Sequence, residues 1–112
     1  MTRLYISGPV TGKPYDNRPT FIDASVALME SGYSADIPHD YIASDASLAD
    51  AMLVSINRIT RFDWWLGYKR LYDGIALLPG WEQSDGARLE KAVAEACGIP
   101  CKTVDEWLEE AL

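Results

Sequence analysis

Apolar and polar positions alternate over 3–7 (RLYIS), a period of two rich in β-formers, and this predicts a first strand. The stretch 8–14 (GPVTGKP) is broken by glycine and proline and reads as a loop. From Pro19 the spacing lengthens to that of a helix. Phe21, Ala24, Ser25, Leu28 and Met29 share one face, Pro19 suits the first turn, and Gly32 supplies a stop. A second short strand is predicted over 33–38 (YSADIP). A polar connection from His39 to Asp45 leads to a helix over 46–54, with Ser44 or Asp45 as its cap. Helical spacing resumes over 56–71, so the two could form one bent helix. The apolar run 73–78 (DGIALL) predicts a third strand ending at Pro79-Gly80. Ser84 can cap a helix over 85–97 that stops at Gly98, and 99–102 predicts a fourth strand. Thr103 can cap a last helix over 104–112. That helix turns Val104, Trp107, Leu108 and Leu112 inward and carries Asp105, Glu106, Glu109 and Glu110 on a solvated face.

Strands that alternate with helices imply an α/β fold in a single domain, 1–112, with a mostly parallel sheet of four to five strands covered on both faces. Such sheets bind ligands beyond the carboxyl ends of their strands, at the point where the chain reverses direction across the sheet. Two loops lie at such ends, 8–14 after the first strand and 79–85 after the third.

One position violates the apolar pattern. On a wheel of about 100° per residue, Glu90 sits among Gly86, Ala87, Val93, Ala94 and Cys97, while Arg88, Lys91 and Glu95 lie opposite. A carboxylate is rarely buried without a partner, because desolvation costs several kcal/mol, on the order of 3–5 when the pair is broken. Glu90 therefore either lines a pocket or pairs with a buried arginine. The same wheel drawn over 56–71 singles out Asp63, among Ile56, Ile59, Leu66, Gly67 and Arg70, with Arg70 as a possible ion-pair partner. Two carboxylates facing one cleft suit chemistry at an anomeric centre, one attacking or stabilising and the other moving a proton.

The first loop adds hydroxyls, close-approach backbone amides and one cation, from Ser7, Gly8, Thr11, Gly12 and Lys13. It matches neither the dinucleotide fingerprint nor the phosphate-binding P-loop. Trp81, in the loop before Ser84, is placed to stack on a planar ligand, whereas Trp64 and Trp65 read as core or subunit contact. His39 reads as solvent-exposed. Cys97 and Cys101, with a single histidine in the chain, cannot make a zinc site without distant carboxylates and read as two buried thiols. A net charge of −7 argues against a nucleic-acid polymer as partner but leaves room for a small anion. No apolar run approaches the roughly 20 residues of a membrane span, and the N-terminus lacks a signal-peptide layout, so the expected location is cytoplasmic.

The two loops together carry a resemblance. Tyr5-Ile6-Ser7-Gly8-Pro9-Val10-Thr11-Gly12 looks like the opening strand and loop of the nucleoside 2-deoxyribosyltransferase superfamily. Ser84-Asp85-Gly86-Ala87-Arg88-Leu89-Glu90 resembles its segment bearing the nucleophilic glutamate. The phrase LLPGWEQSDGARLE, with Asn17 and Phe21, is closer to a small branch found in phages and bacteria. The resemblance spans residues 3–101. It implies a flavodoxin-like, Rossmann-like three-layer sandwich and a homodimer or higher homo-oligomer. It also implies cleavage or exchange of the N-glycosidic bond of a 2′-deoxynucleoside or its 5′-monophosphate, with no metal or organic cofactor. By resemblance Glu90 is the nucleophile and Asp63 the second acid, with Asn57 or Asp73 as alternatives because the gap from Asp63 to Asp73 is about two residues longer than the pattern. Tyr5, Ser7, Gly8, Thr11, Gly12, Lys13, Asn17, Trp81, Ser84, Asp85 and Gly86 are the expected substrate contacts. The second strand ends in Ile37-Pro38 where the branch commonly has Asn-Pro. The rival expectation is a protein that binds a nucleotide or a nucleotide-derived signal without turnover.

Overall fold

A computed structural model describes residues 1–67 and 69–111. In chain order the described elements are β1 (Arg3–Ser7), α1 (Arg18–Glu30), β2 (Ser34–Asp36), α2 (Leu48–Ile59), β3 (Phe62–Asp63), β4 (Lys69–Arg70), β5 (Gly74–Leu77), α3 (Asp85–Ala96), β6 (Cys101–Thr103) and α4 (Val104–Glu110). Four strands form a parallel sheet in the order β2-β1-β5-β6, and β3 pairs antiparallel with β4 as a separate hairpin.

The alternation in β1 divides the core. Leu4 and Ile6 join Phe21, Ala24, Leu28, Ala76, Val104 and Trp107 on the side covered by α1 and α4. Tyr5 joins Ile59, Ile75, Leu77 and Ala94 on the side covered by α2 and α3. Helices on both faces of a parallel sheet make the three-layer, flavodoxin-like fold that was expected.

The chain leaves β1 through α1 toward β2 and leaves β5 through α3 toward β6, in opposite directions across the sheet. The switch point therefore lies between the carboxyl ends of β1 and β5, which pair Ser7 with Leu77. The ladder continues as the Leu78 N–H donates to the Ser7 carbonyl at 2.8 Å. Gly8 is required there, since a Cβ would come within 2.7 Å of the Leu78 Cβ.

Several expectations need correction. No helix spans 56–71. α2 is capped by Ser47, not by Ser44 or Asp45, and runs unbroken through Ser55 to Ile59. Thr60 ends it, with both its N–H (2.9 Å) and its hydroxyl (2.6 Å) donating to the Ile56 carbonyl. Phe62 then pairs with Arg70 and Asp63 with Lys69, and Gly67 takes the left-handed turn at φ 87°. Met29 is half exposed rather than inward, and Cys97 is an exposed thiol just past α3 rather than a buried one. The expected inward Leu112 lies outside the described residues. No described helix is long and apolar enough to cross a membrane.

Candidate active site

The Ser84 hydroxyl caps α3 by accepting the Ala87 N–H at 3.2 Å, as the sequence suggested. About one and a half turns on, Glu90 arrives on the sheet-facing stripe between buried Ala87 and Ala94. It is 7% exposed. Small residues on this side let the helices approach closely: a Cβ at Gly86 would stand 3.2 Å from the Met52 sulfur on α2.

Glu90 is not sealed against an arginine. Ser7, the last residue of β1, donates its hydroxyl to Glu90 Oε1 at 2.6 Å. The buried Ser55 hydroxyl of α2 lies 2.8 Å from the Tyr5 phenol. The two α2 and β1 arginines nearest in sequence to these residues are committed elsewhere, Arg58 and Arg3 both to Asp36. Burial pushes the Glu90 carboxyl above its ordinary value, and the hydroxyls of Ser7 and Ser55 pull it back down. Burial, reinforced by the nearby Glu90 charge, holds the Tyr5 phenol far above the usual range, so it remains a hydrogen-bond donor.

A second polar cluster on the same face was not anticipated from sequence. Asp36, in register with Tyr5, accepts Arg3 Nε at 3.0 Å and Nη2 at 2.6 Å, and the Tyr72 phenol at 2.8 Å. Arg58 donates its Nε to the Tyr72 oxygen at 3.1 Å and lies 3.3 Å from the Tyr41 ring centroid. Ser55 and Arg58 are three apart on α2, so one helix face serves both clusters. The Tyr5 and Tyr72 rings, 5.1 Å apart, join them. Cross-strand register and the Ser55 position are decided by tertiary packing, and no local signal marks them.

The remaining candidates are dispersed. Thr11, Gly12 and Lys13 are exposed at the rim of the first loop, and Gly12 has φ 80°. Asn17 uses its side-chain amide to donate to the Pro9 carbonyl at 2.8 Å, folding the loop back onto α1. Tyr15, Asp16 and Asn17 form a run of three left-handed residues, which costs on the order of 1–3 kcal/mol at each. His39 helps to hold that run, its Nε2 donating to the Asp16 carbonyl at 2.7 Å and its ring packing edge-on to Phe21. It is therefore half-buried, where solvent exposure was expected. Trp81 is half-buried against the α3 side of the core with the Lys91 ammonium 5.3 Å from its ring. Asp85 is exposed and pairs with Arg88.

Asp63 sits in the β3–β4 hairpin with Arg61 Nε 3.9 Å from its carboxylate, not on a helix beside Arg70. Asp73 accepts the Arg3 N–H at 2.9 Å, at the opposite end of β1 from Ser7 and about 13 Å away along the strand. Asn57, itself turned away from Ser55 on α2, lines an open groove of about 420 Å³ with Tyr41, Leu53, Val54 and Arg58. Among the described residues no three of His, Cys, Asp or Glu gather as a metal-ligand set.

A doubly wound, flavodoxin-like α/β protein with a buried glutamate at its switch point is the class these features define. Within it, the chain belongs to the family described as Domain of unknown function (DUF4406), whose model matches residues 2–103. No curated protein matches it in sequence. In structure it is similar to a 2-desoxiribosyltransferase from Leishmania mexicana, with a TM-score of 0.65 and 20% sequence identity. That match covers 92% of this chain but only 63% of the other, so the chain spans less than two thirds of that enzyme's length.

Proposed function

We propose that this protein cleaves or exchanges the N-glycosidic bond of a 2′-deoxynucleoside or its 5′-monophosphate, with Glu90 as the nucleophile, and that it belongs to the nucleoside 2-deoxyribosyltransferase superfamily. The observation that carries the reading is a buried carboxyl at the switch point, held by the Ser7 hydroxyl and, among the described residues, by no cation. The deoxyribosyltransferase fold of its structural neighbour is consistent with it. A salt-bridged glutamate would be a poor nucleophile. One that accepts hydroxyl hydrogen bonds keeps lone pairs for C1′.

The steps balance as a double displacement. Glu90 Oε bonds to C1′ as the C1′–N bond breaks, and the electron pair leaves with the base, which takes up a proton. Water or a second base then attacks C1′ and gives up a proton, which restores the one taken by the departing base; this frees the Glu90 carboxylate and yields deoxyribose or a new nucleoside, or their 5-phosphate forms from a monophosphate. In this proposal Tyr5, Ser7 and Gly8 border the sugar. Thr11, Gly12 and Lys13 meet the 5′ end, Ser84, Asp85 and Gly86 form the adjoining wall, and Asn17 and Trp81 act by shaping the two loops. Asp63 enters as the second acid. Slower base release in Asp63→Asn with unchanged substrate binding supports that role, and an unchanged rate removes it.

Incubation with deoxynucleosides and their monophosphates, followed by separation of free bases, tests the main proposal. We expect release of at least one base, reduced about 10³-fold or more in Glu90→Gln with binding retained. A neutral Glu90 carboxyl would equally donate to a bound ligand, and burial favours that form. Tight nucleotide binding with no release from any substrate would therefore make the protein a nucleotide-binding module. The proposal also includes a homo-oligomer, for which the hairpin offers exposed Trp64, Trp65 and Leu66.

A further inference from the structure

The cluster around Asp36 holds two guanidiniums for one carboxylate. Arg3 satisfies that carboxylate: its Nε and Nη2 donate to Asp36 Oδ2 at 3.0 and 2.6 Å, and the Tyr72 phenol gives the same oxygen a third donor at 2.8 Å. Arg58 Nη2 stays 3.6 Å away, beyond hydrogen-bond distance. Ion pairs elsewhere, such as Arg88 with Asp85 and Lys91 with Glu95, match one cation to one carboxylate. Among the described residues of this cluster one positive charge is left over, on a side chain only 21% exposed, in a chain of net charge −7.

That cation is held still. The Arg58 Cζ lies 3.3 Å from the Tyr41 ring centroid, and Nε donates to the Tyr72 oxygen at 3.1 Å. A guanidinium carries five N–H donors. Nη1 bonds no described residue and is not buried, so its donors are open to solvent on a side chain whose orientation is already fixed. Arg58 lines the groove of about 420 Å³ with Tyr41, Leu53, Val54 and Asn57, a size within the range of about 300–1,000 Å³ common to small-molecule sites. The groove thus joins a fixed cation to two aliphatic side chains and one exposed amide.

We infer that this groove is a second binding site, separate from Glu90, for a small molecule that carries a terminal oxyanion, phosphate or carboxylate, on a compact apolar body. Arg58 takes the oxyanion through its Nη donors, Leu53 and Val54 cover the body, and Asn57 supplies a polar edge. Asp36 does not compete for the cation, because Arg3 and Tyr72 occupy it. The two sites are divided by α2. Its Ser55 faces β1, Met52 turns about 60° from Ser55 to one side, toward Gly86 on α3, and Arg58 and Val54 turn about 60–100° to the other, toward Tyr41. The inference does not depend on the glycosidic reading of Glu90.

The test is a ligand titration of isotope-labelled protein followed by NMR, reading the Arg58 Nε–Hε resonance and the Leu53 and Val54 methyl groups. Benzoate and phenyl phosphate present the two oxyanions on one kind of body, and benzyl alcohol presents the body without a charge. At millimolar concentration benzoate or phenyl phosphate is expected to shift both sets of signals, and the tighter of the two names the oxyanion. Benzyl alcohol should leave Arg58 unmoved. Arg58→Gln should weaken the binding by about tenfold or more. That change also removes a partner of Tyr72, so Leu53→Asp, at a position 70% exposed, serves as the second variant. It sets a carboxylate at the groove and should weaken oxyanion binding by a similar factor with the fold kept. No shift at Arg58 with either anion, shifts confined to residues 8–14, equal binding of benzyl alcohol, or an unchanged affinity in both variants overturns the inference. Groove binding with no base released from any deoxynucleotide keeps this site and removes only the glycosidic reading.

Discussion

Glu90 shows what one side chain can reveal about its surroundings. Its carboxyl is raised by burial relative to the 4.5 of an unfolded chain. Below that pH the group is protonated in both states and burial costs little. As pH rises past 4.5 the unfolded chain ionises first, so stability falls, and the loss is complete once pH exceeds the folded value. Glu90→Gln removes this dependence. Its melting temperature should exceed that of the native protein, with a gap that widens from pH 4 to pH 8. Each pH unit of displacement corresponds to about 1.4 kcal/mol, or roughly 6 °C for a domain of this size. Calorimetry at the two pH values checks this, and a gap that stays constant or narrows would place Glu90 in a solvated setting. The odd position of this residue was legible from the helical wheel alone. Its neighbours Ser7 and Ser55 were not equally so. Ser7 stood in a suspected loop, whereas Ser55 comes from a helix whose placement only packing fixes. Cys101 carries a smaller version of the same physics, burial pushing its thiol up to about 11, so Cys97 should react with a thiol reagent well before it does.

Among elements, those with a cap or a clean period were readable. β1 occupies the expected 3–7, α3 begins after the Ser84 cap, and α4 begins after Thr103, whose capping box with Glu106 is complete. The region after Ile59 was not readable, because Phe62, Trp64, Trp65 and Leu66 mimic a helical stripe while in fact standing exposed around a hairpin. Gly74 belongs to this scale too. In the sequence it is a flaw in an apolar strand. In the fold it lies beneath the Trp107 ring, to which a Cβ would approach within 2.4 Å, while the Trp107 indole donates to the Ile75 carbonyl at 2.8 Å. Gly74→Ala should displace that ring, unseat α4 and destabilise the protein by about 1–3 kcal/mol. Urea unfolding would show it, and an unchanged midpoint would mean that α4 is free to shift.

At the scale of the molecule, the strand order β2-β1-β5-β6 puts the 8–14 loop and the connection into α3 at the adjoining carboxyl ends of β1 and β5, and the same topology sets Asp73 at the far end of the sheet. The hairpin leaves Trp64, Trp65 and Leu66 each more than half exposed. If the proposed homo-oligomer uses that surface, Trp64→Lys with Trp65→Lys should shift sedimentation to the monomer while far-UV circular dichroism stays native. A native protein that sediments as a monomer at all concentrations would exclude it.

The amino-acid order alone determined the α/β alternation, the helix caps at Ser84 and Thr103, and a carboxylate on an apolar helix face, because these depend on residues within a few positions of one another. Tertiary structure decided what that carboxylate meets, Ser7, 83 residues away in the chain, and it also brought together Ser55 and Tyr5, 50 residues apart. It also separated Asp63 and Asp73 from the wheel and the gap that had suggested them. Contacts between distant segments arise from sheet order and helix packing, and no local periodicity encodes these.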